Sequence, residues 1–156
     1  LEHYESAPDA LADLSQLVPA TEAAFADLAE MKGLRTTQHI MPGVRVPLDA
    51  SLAQLLLNNL FSNAIRHNLP GGEIRVQLSA TELLLANTGH APTAPVGELF
   101  GRFKKGNAAL DSIGIGLAIV KRISELYGHR ISYDYAEGWH HLRVVFAPAA
   151  GSQKRT

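Results

Sequence analysis

Between Asp49 and Asn68 the apolar residues return at helical spacing: Leu52, Leu55, Leu56, Leu60, Ala64 and Ile65 share one face. That spacing predicts a helix capped by Asp49 or Ser51 and ended by Pro70-Gly71-Gly72. Upstream, Leu11, Leu14, Leu17, Val18, Ala24, Phe25, Leu28 and Met31 predict an amphipathic helix from Ala10 to Met31. Pro19 should interrupt it, Thr21-Glu22 restart it and Lys32-Gly33 stop it. Leu34 to Met41 and Val44 to Leu48 are short strand candidates joined by Pro42-Gly43. Glu73 to Ser79 alternates, with Ile74, Val76 and Leu78 against Glu73, Arg75 and Gln77, as a half-buried strand does. Thr81 to Ala86 is a short apolar run suited to a central strand. Ile113 to Tyr127 predicts another helix, with Leu117, Val120, Ile123 and Tyr127 on one face and Gly128 as its stop. Arg130 to Tyr135 and His140 to Ala147 predict a hairpin across Ala136-Glu137-Gly138-Trp139.

Residues 1–9 read as a linker or the remainder of a preceding helical domain, 10–148 as one domain, and 149–156 as a disordered tail. The order of elements predicts an α+β fold: a two-layer α/β sandwich with a mixed sheet packed on a helical layer. One interval resists assignment. Asn87 to Ile113 holds four glycines and two prolines, with a single short helical candidate around Val96 to Phe103. A loop that long inside a compact domain is usually functional or mobile.

Composition narrows the function classes. Fourteen basic side chains oppose fifteen acidic ones among 156 residues, so no overall field points to nucleic acid or an anionic membrane. The absence of cysteine removes disulfides, thiolate metal sites and cysteine nucleophiles, and is compatible with a reducing cytoplasm. No apolar run approaches the roughly 20 residues that span a bilayer. The seven histidines are scattered without metal-ligand spacing.

Four segments hold candidate chemistry. Asn59 and Asn63 stand one turn apart on the 49–68 helix, beside its apolar stripe. Asparagine is a mediocre helix former, and an amide oxygen can ligate Mg2+ without adding negative charge beside a phosphate. Arg66 can reach such a phosphate, and His67 follows it. Asn87-Thr88-Gly89 lies where the apolar strand ends, a position that suits either a ligand or an ordinary turn. Leu99 to Lys105 places Phe100 and Phe103 among Arg102, Lys104 and Lys105, cations that can face phosphate or simply solvent. Gly114-Ile115-Gly116-Leu117 opens the predicted 113–127 helix, where unsatisfied amides and the helix dipole favour an anion. Close helix packing is the competing reading of those glycines. No GxxxxGK[ST] loop and no strand-linked GxGxxG is present, so a nucleotide site here must have another design.

These segments, in this order, resemble the catalytic and ATP-binding domain of bacterial sensor histidine kinases, within the gyrase, heat-shock chaperone, histidine kinase and mismatch-repair ATPase superfamily. The likeness spans residues 11 to 147. Asn59 to His67 resembles the N box, Asn87 to Gly89 the first glycine box, Leu99 to Lys105 the F box, and Gly114 to Val120 the second glycine box. The F box distinguishes a histidine kinase from the related serine kinases. The resemblance implies a Bergerat-type fold, mostly antiparallel, on about three helices. It implies ATP and Mg2+ as cofactors, with Asn63 as the metal ligand and Asn59 and Arg66 on the phosphates. His67, Asn87, Gly89, Phe100, Lys104, Lys105, Gly114, Ile115, Gly116 and Leu117 would complete the nucleotide site.

Some positions depart from the pattern. Asn87 stands where an Asp reads the adenine amine, which keeps an acceptor and loses its charge. Ala91 and Ser112 stand where glycines are common, and the lid, Lys104 to Ser112, is short. The implied activity is that of a protein-histidine kinase whose phospho-accepting histidine lies on a separate dimerisation domain of the parent protein. A response regulator would be reached through that domain. The fragment itself is expected to be cytoplasmic and monomeric, without nucleic-acid or membrane contact, in a parent anchored in the inner membrane. The competing expectation is a degenerate, nucleotide-poor domain that acts by docking.

Overall fold

The chain is described by a computed structural model over residues 10–92 and 108–148, with side chains of 108–116 outside that description. Two sheets form. In the small one, β1 (Leu11–Asp13) pairs antiparallel with β3 (Arg45–Pro47). The main sheet has five strands in the order β2-β4-β5-β7-β6. They are β2 (Arg35–Ile40), β4 (Glu73–Leu78), β5 (Glu82–Thr88), β6 (Arg130–Ala136) and β7 (Trp139–Val145). Among the described residues only the β2–β4 pairing is parallel. The helices are α1 (Leu14–Ala24), α2 (Ala26–Met31), α3 (Ala50–Arg66) and α4 (Ala108–Leu126). They pack on one face of the main sheet, which gives the expected two-layer α+β sandwich.

Period-2 patterning decides which strand face meets the helices. Ile74, Val76 and Leu78 of β4 face the same way as Leu83, Leu85 and Asn87 of β5, and as His140, Leu142 and Val144 of β7. From the other layer, α3 buries Leu52, Ala53, Leu56, Leu57, Leu60, Phe61 and Ala64, and α4 buries Leu117, Val120 and Ile123. These residues make one continuous core. Leu55, expected in the apolar stripe, is instead 36% exposed, at the stripe's edge. Asp49 is the α3 cap, accepting from the amides of Ser51 and Leu52 at 2.8 and 3.2 Å.

Three boundaries differ from the sequence expectation. Residues 11–13 are strand rather than helix, because pairing with 45–47 satisfies their backbone, and Asp13 then caps α1 by accepting from Gln16 N at 3.2 Å. Pro19 does not interrupt α1, because burial of Leu14, Val18 and Thr21 around it offsets one missing amide bond. The break falls at Phe25. The third concerns α4, which begins at Ala108 rather than Ile113. Ala108, Ala109 and Leu110 are strong helix formers, and they extend the helix through Gly114 and Gly116 despite a cost of roughly 1 kcal/mol per glycine. The strands on either side of Pro42-Gly43 do not pair with one another, since β2 joins β4 and β3 joins β1. No helix among the described residues is long and apolar enough to cross a membrane.

Candidate functional site

The direction of α4 against α3 places the site. Asp49 N, at the start of α3, donates to the Tyr127 hydroxyl just past the end of α4 at 3.2 Å. His129 extends this staple: Ala147 N donates to its Nδ1 at 2.8 Å, which leaves Nε2 to donate to the Pro47 carbonyl at 2.7 Å. The two helices pack from this shared end, so the last turns of α3 run beside the N-terminal half of α4. Asn63 lies about 21 Å from Asp49 along one axis and Gly114 about 20 Å from Tyr127 along the other, at 1.5 Å per residue. The sequence-predicted residues of these helices therefore meet at one end of the helical layer.

Asn59 and Asn63 are both half-buried. The Asn59 amide nitrogen is committed to the Leu55 carbonyl at 2.8 Å, so ligand contact falls to its oxygen. Arg66 is exposed in the last turn, with a guanidinium nitrogen 3.5 Å from Ser62 Oγ. His67 caps the C-terminus of α3. Burial first, then the Arg66 guanidinium, His140 and Lys32, hold its imidazole down to about 4 from 6.5. It is neutral at physiological pH, and its Nε2 is buried without a hydrogen-bond partner.

From the sheet, Asn87 is buried on the helix-facing side, between Ile74 and His140 in register. Its Nδ2 donates to the Thr88 carbonyl at 2.8 Å, which leaves Oδ1 as an acceptor, the role an Asp would fill. Gly89 follows in a tight space. A Cβ there would lie 2.7 Å from the His140 ring and 2.8 Å from the His67 carbonyl, so only glycine fits without a shift.

Several expected site residues stand differently. Gly114 and Gly116 fall inside α4, in its second and third turns, so their amides belong to the helix rather than to its unsatisfied start. What they can offer a ligand is close approach of backbone. The Leu117 side chain is 2% exposed and belongs to the core. Phe100, Lys104 and Lys105 lie outside the described residues, as do the 96–103 helical candidate, the linker over 1–9 and the tail over 149–156.

Other contributors were not apparent from the sequence. Lys32 Nζ donates to the carbonyls of Ile65 and Arg66 at 2.9 and 3.0 Å, placing a cation on the negative end of α3. Asn68, legible only as a helix end, binds Ala64 O and Glu73 O through Nδ2, and accepts from Thr88 Oγ1 at 2.6 Å. It joins the end of α3 to β4 and β5. Asparagine just past a helix hinted at capping, but not at partners from two strands.

The donor set fits a magnesium nucleotide: amide oxygens in place of carboxylates, with a cation one turn away. Comparison with known proteins supplies the family. The family of histidine kinase-, DNA gyrase B- and HSP90-like ATPases matches residues 48–150. The chain is 31% identical over 147 residues to the sensor histidine kinase TmoS of Ectopseudomonas mendocina, covering 88% of this chain and 15% of that one. It is 34% identical over 93 residues to sensor protein QseC of Salmonella typhi, covering 56% of this chain and 20% of that one. The nucleotide-free catalytic domain of histidine kinase ThkA shares the fold with a TM-score of 0.74 at 20% identity, covering 89% of this chain and 94% of that one. The cytoplasmic segment of histidine kinase QseC gives 0.71 at 20% identity, covering 94% and 85%. The chain thus spans a fifth or less of the length of these curated relatives. With more than half of its residues matched, among them Asn59, Asn63, Asn87 and Gly89, the chain belongs to the histidine kinase-, DNA gyrase B- and HSP90-like ATPase family.

Proposed function

We propose that this chain binds Mg-ATP where the last turns of α3 meet the Asn87–Gly89 turn and the N-terminal half of α4. It would present the γ-phosphoryl group to a histidine on a separate dimerisation domain of its parent protein. The carrying observation is the convergence of Asn63, Arg66 and His67 with Asn87 and Gly89 at one end of a family-typical sandwich. Asn63 is the residue to hold Mg2+, with Asn59 beside it. Bound there, Mg2+ would neutralise phosphate charge and orient the triphosphate. Arg66, three residues on from Asn63, supplies a guanidinium for phosphate. Asn87 accepts from the adenine amine through Oδ1, and neutral His67 adds no charge beside the base. Gly114 and Gly116 let backbone approach the phosphates, with the backbone of Ile115 and Leu117 beside them. Phe100, Lys104 and Lys105, outside the described residues, would join the site as the F-box resemblance implies.

Phosphoryl transfer needs mainly positioning and charge neutralisation, which suits a domain that supplies amides and cations but no nucleophile. Sensor histidine kinases among the relatives make a dimerisation and phosphotransfer domain the natural partner, with a response regulator beyond it. The test is phosphotransfer in trans. The chain with γ-labelled ATP and the separately produced dimerisation helices of a relative such as TmoS should label those helices at histidine, and the chain alone should label nothing. Tight ATP binding without transfer to any such helices would reject the kinase role. No binding at all would point to a docking module.

A further inference from the structure

The β6–β7 hairpin holds the Gly89–His90 turn by bonds that the sequence motifs do not include. Tyr135 donates its hydroxyl to the Gly89 carbonyl at 2.9 Å. The Gly89 amide donates to Gly138 O, in the hairpin's own turn, at 3.0 Å. His140 hydrogen-bonds the His90 carbonyl through its ring, and its Nδ1 lies 2.5 Å from the Tyr133 hydroxyl. Burial pushes Tyr133 up to about 12, with Tyr135 and Asp134 adding to it. It also lowers the His140 imidazole, with His141 adding and the His90 bond opposing. With one ring nitrogen on Tyr133 and the other donating to the His90 carbonyl, a neutral His140 has Nδ1 free to accept from the Tyr133 hydroxyl. The His140 ring packs 4.7 Å from the Tyr135 ring, centre to centre, and presses on Gly89 so closely that a Cβ would collide.

We propose that Tyr133, Tyr135 and His140 form a brace that fixes the Gly89–His90 turn, and that the hairpin sets nucleotide affinity through this turn as a group of positioning residues. The proposal rests on reading Asn87–Gly89 as the base side of the ATP site. Two carbonyls and one amide of the turn are tied to the hairpin: the Gly89 N–Gly138 O bond continues the β5–β7 register one pair past Thr88 and Trp139, and the two side-chain bonds are additional to that ladder. Removing one hydroxyl should loosen the turn while leaving the apolar core untouched.

Tyr135→Phe and Tyr133→Phe test it by two measurements on the same samples. Hydrogen exchange without nucleotide reports the turn, and calorimetry with ADP and ATP plus Mg2+ reports the site. The expected result is faster exchange confined to the Gly89–His90 region, with ADP and ATP weakened alike by roughly threefold to tenfold per hydrogen bond lost. The ADP-to-ATP affinity ratio and the Mg2+ dependence should hold, and the thermal midpoint should fall by no more than the few degrees that one lost hydrogen bond costs. Asn63→Ala, by contrast, should erase the Mg2+ dependence. If the variants bind as the unmodified chain does, the brace is wrong and the site reading stands. If exchange rises across the whole sheet, these residues are merely structural and the proposal also falls. If the unmodified chain takes up neither nucleotide, the site reading itself fails and takes the brace's role with it.

Discussion

A Cβ at Gly72 would sit 2.2 Å from both Asn68 Oδ1 and Thr88 Oγ1, and 2.9 Å from the Leu69 carbonyl. Gly72→Ala must therefore break the Asn68–Thr88 bond that ties α3 to the sheet. The expected loss is on the order of 2 kcal/mol, read as a lower urea midpoint with an unchanged slope. His67 makes a second prediction at this scale. Its folded pKa, about 4, lies below its ordinary 6.5, so in that window the unfolded chain takes up a proton that the folded chain refuses. Stability should fall as pH drops from 6.5 towards 4, and His67→Gln should flatten that dependence in urea titrations run across the window. An identical pH slope in the variant would assign the effect to other groups. Neither property could be read from the chain. A glycine's neighbours and an imidazole's burial come from segments far away in sequence.

Helix α3 is the element on which the site depends, and most of it was legible. Its cap, its apolar face and its end follow from local rules, because a surface helix writes its environment into a period of 3.6. Asp49→Ala should cost about 1 kcal/mol by removing the acceptor for two first-turn amides. Phe61→Ala should cost about 3–5 kcal/mol, since the ring is 2% exposed in the centre of the core. Chemical denaturation of the two variants would check both numbers. Helix α4 was less legible, because glycines usually mark ends and here they are interior. Strand β1 was hidden for a related reason: Leu11, Ala12 and Asp13 suit a helix, and only their partner strand makes them extended.

At the scale of the molecule, the sandwich gathers at one end the residues that the motifs scatter along the sequence. Asn59 to His67 comes from the helical layer, Asn87 to Gly89 from the end of a central strand, and Gly114 to Leu117 from the adjoining helix. The motifs were legible because each has a local signature, but the hairpin's hold on Gly89 was not, since it joins residues 46 positions apart. The account makes nucleotide binding and folding linked quantities. Mg-ATP at a hundredfold excess over its dissociation constant should add about 2.7 kcal/mol of stability.

The most direct measurement is calorimetric titration of ATP, with and without Mg2+, into the unmodified chain and into Asn63→Ala. The account predicts saturable, Mg2+-dependent binding that Asn63→Ala loses at an unchanged thermal midpoint. Equal affinity in the two proteins would contradict the assignment of Asn63. An absence of saturable heat in the unmodified chain would contradict the nucleotide site altogether.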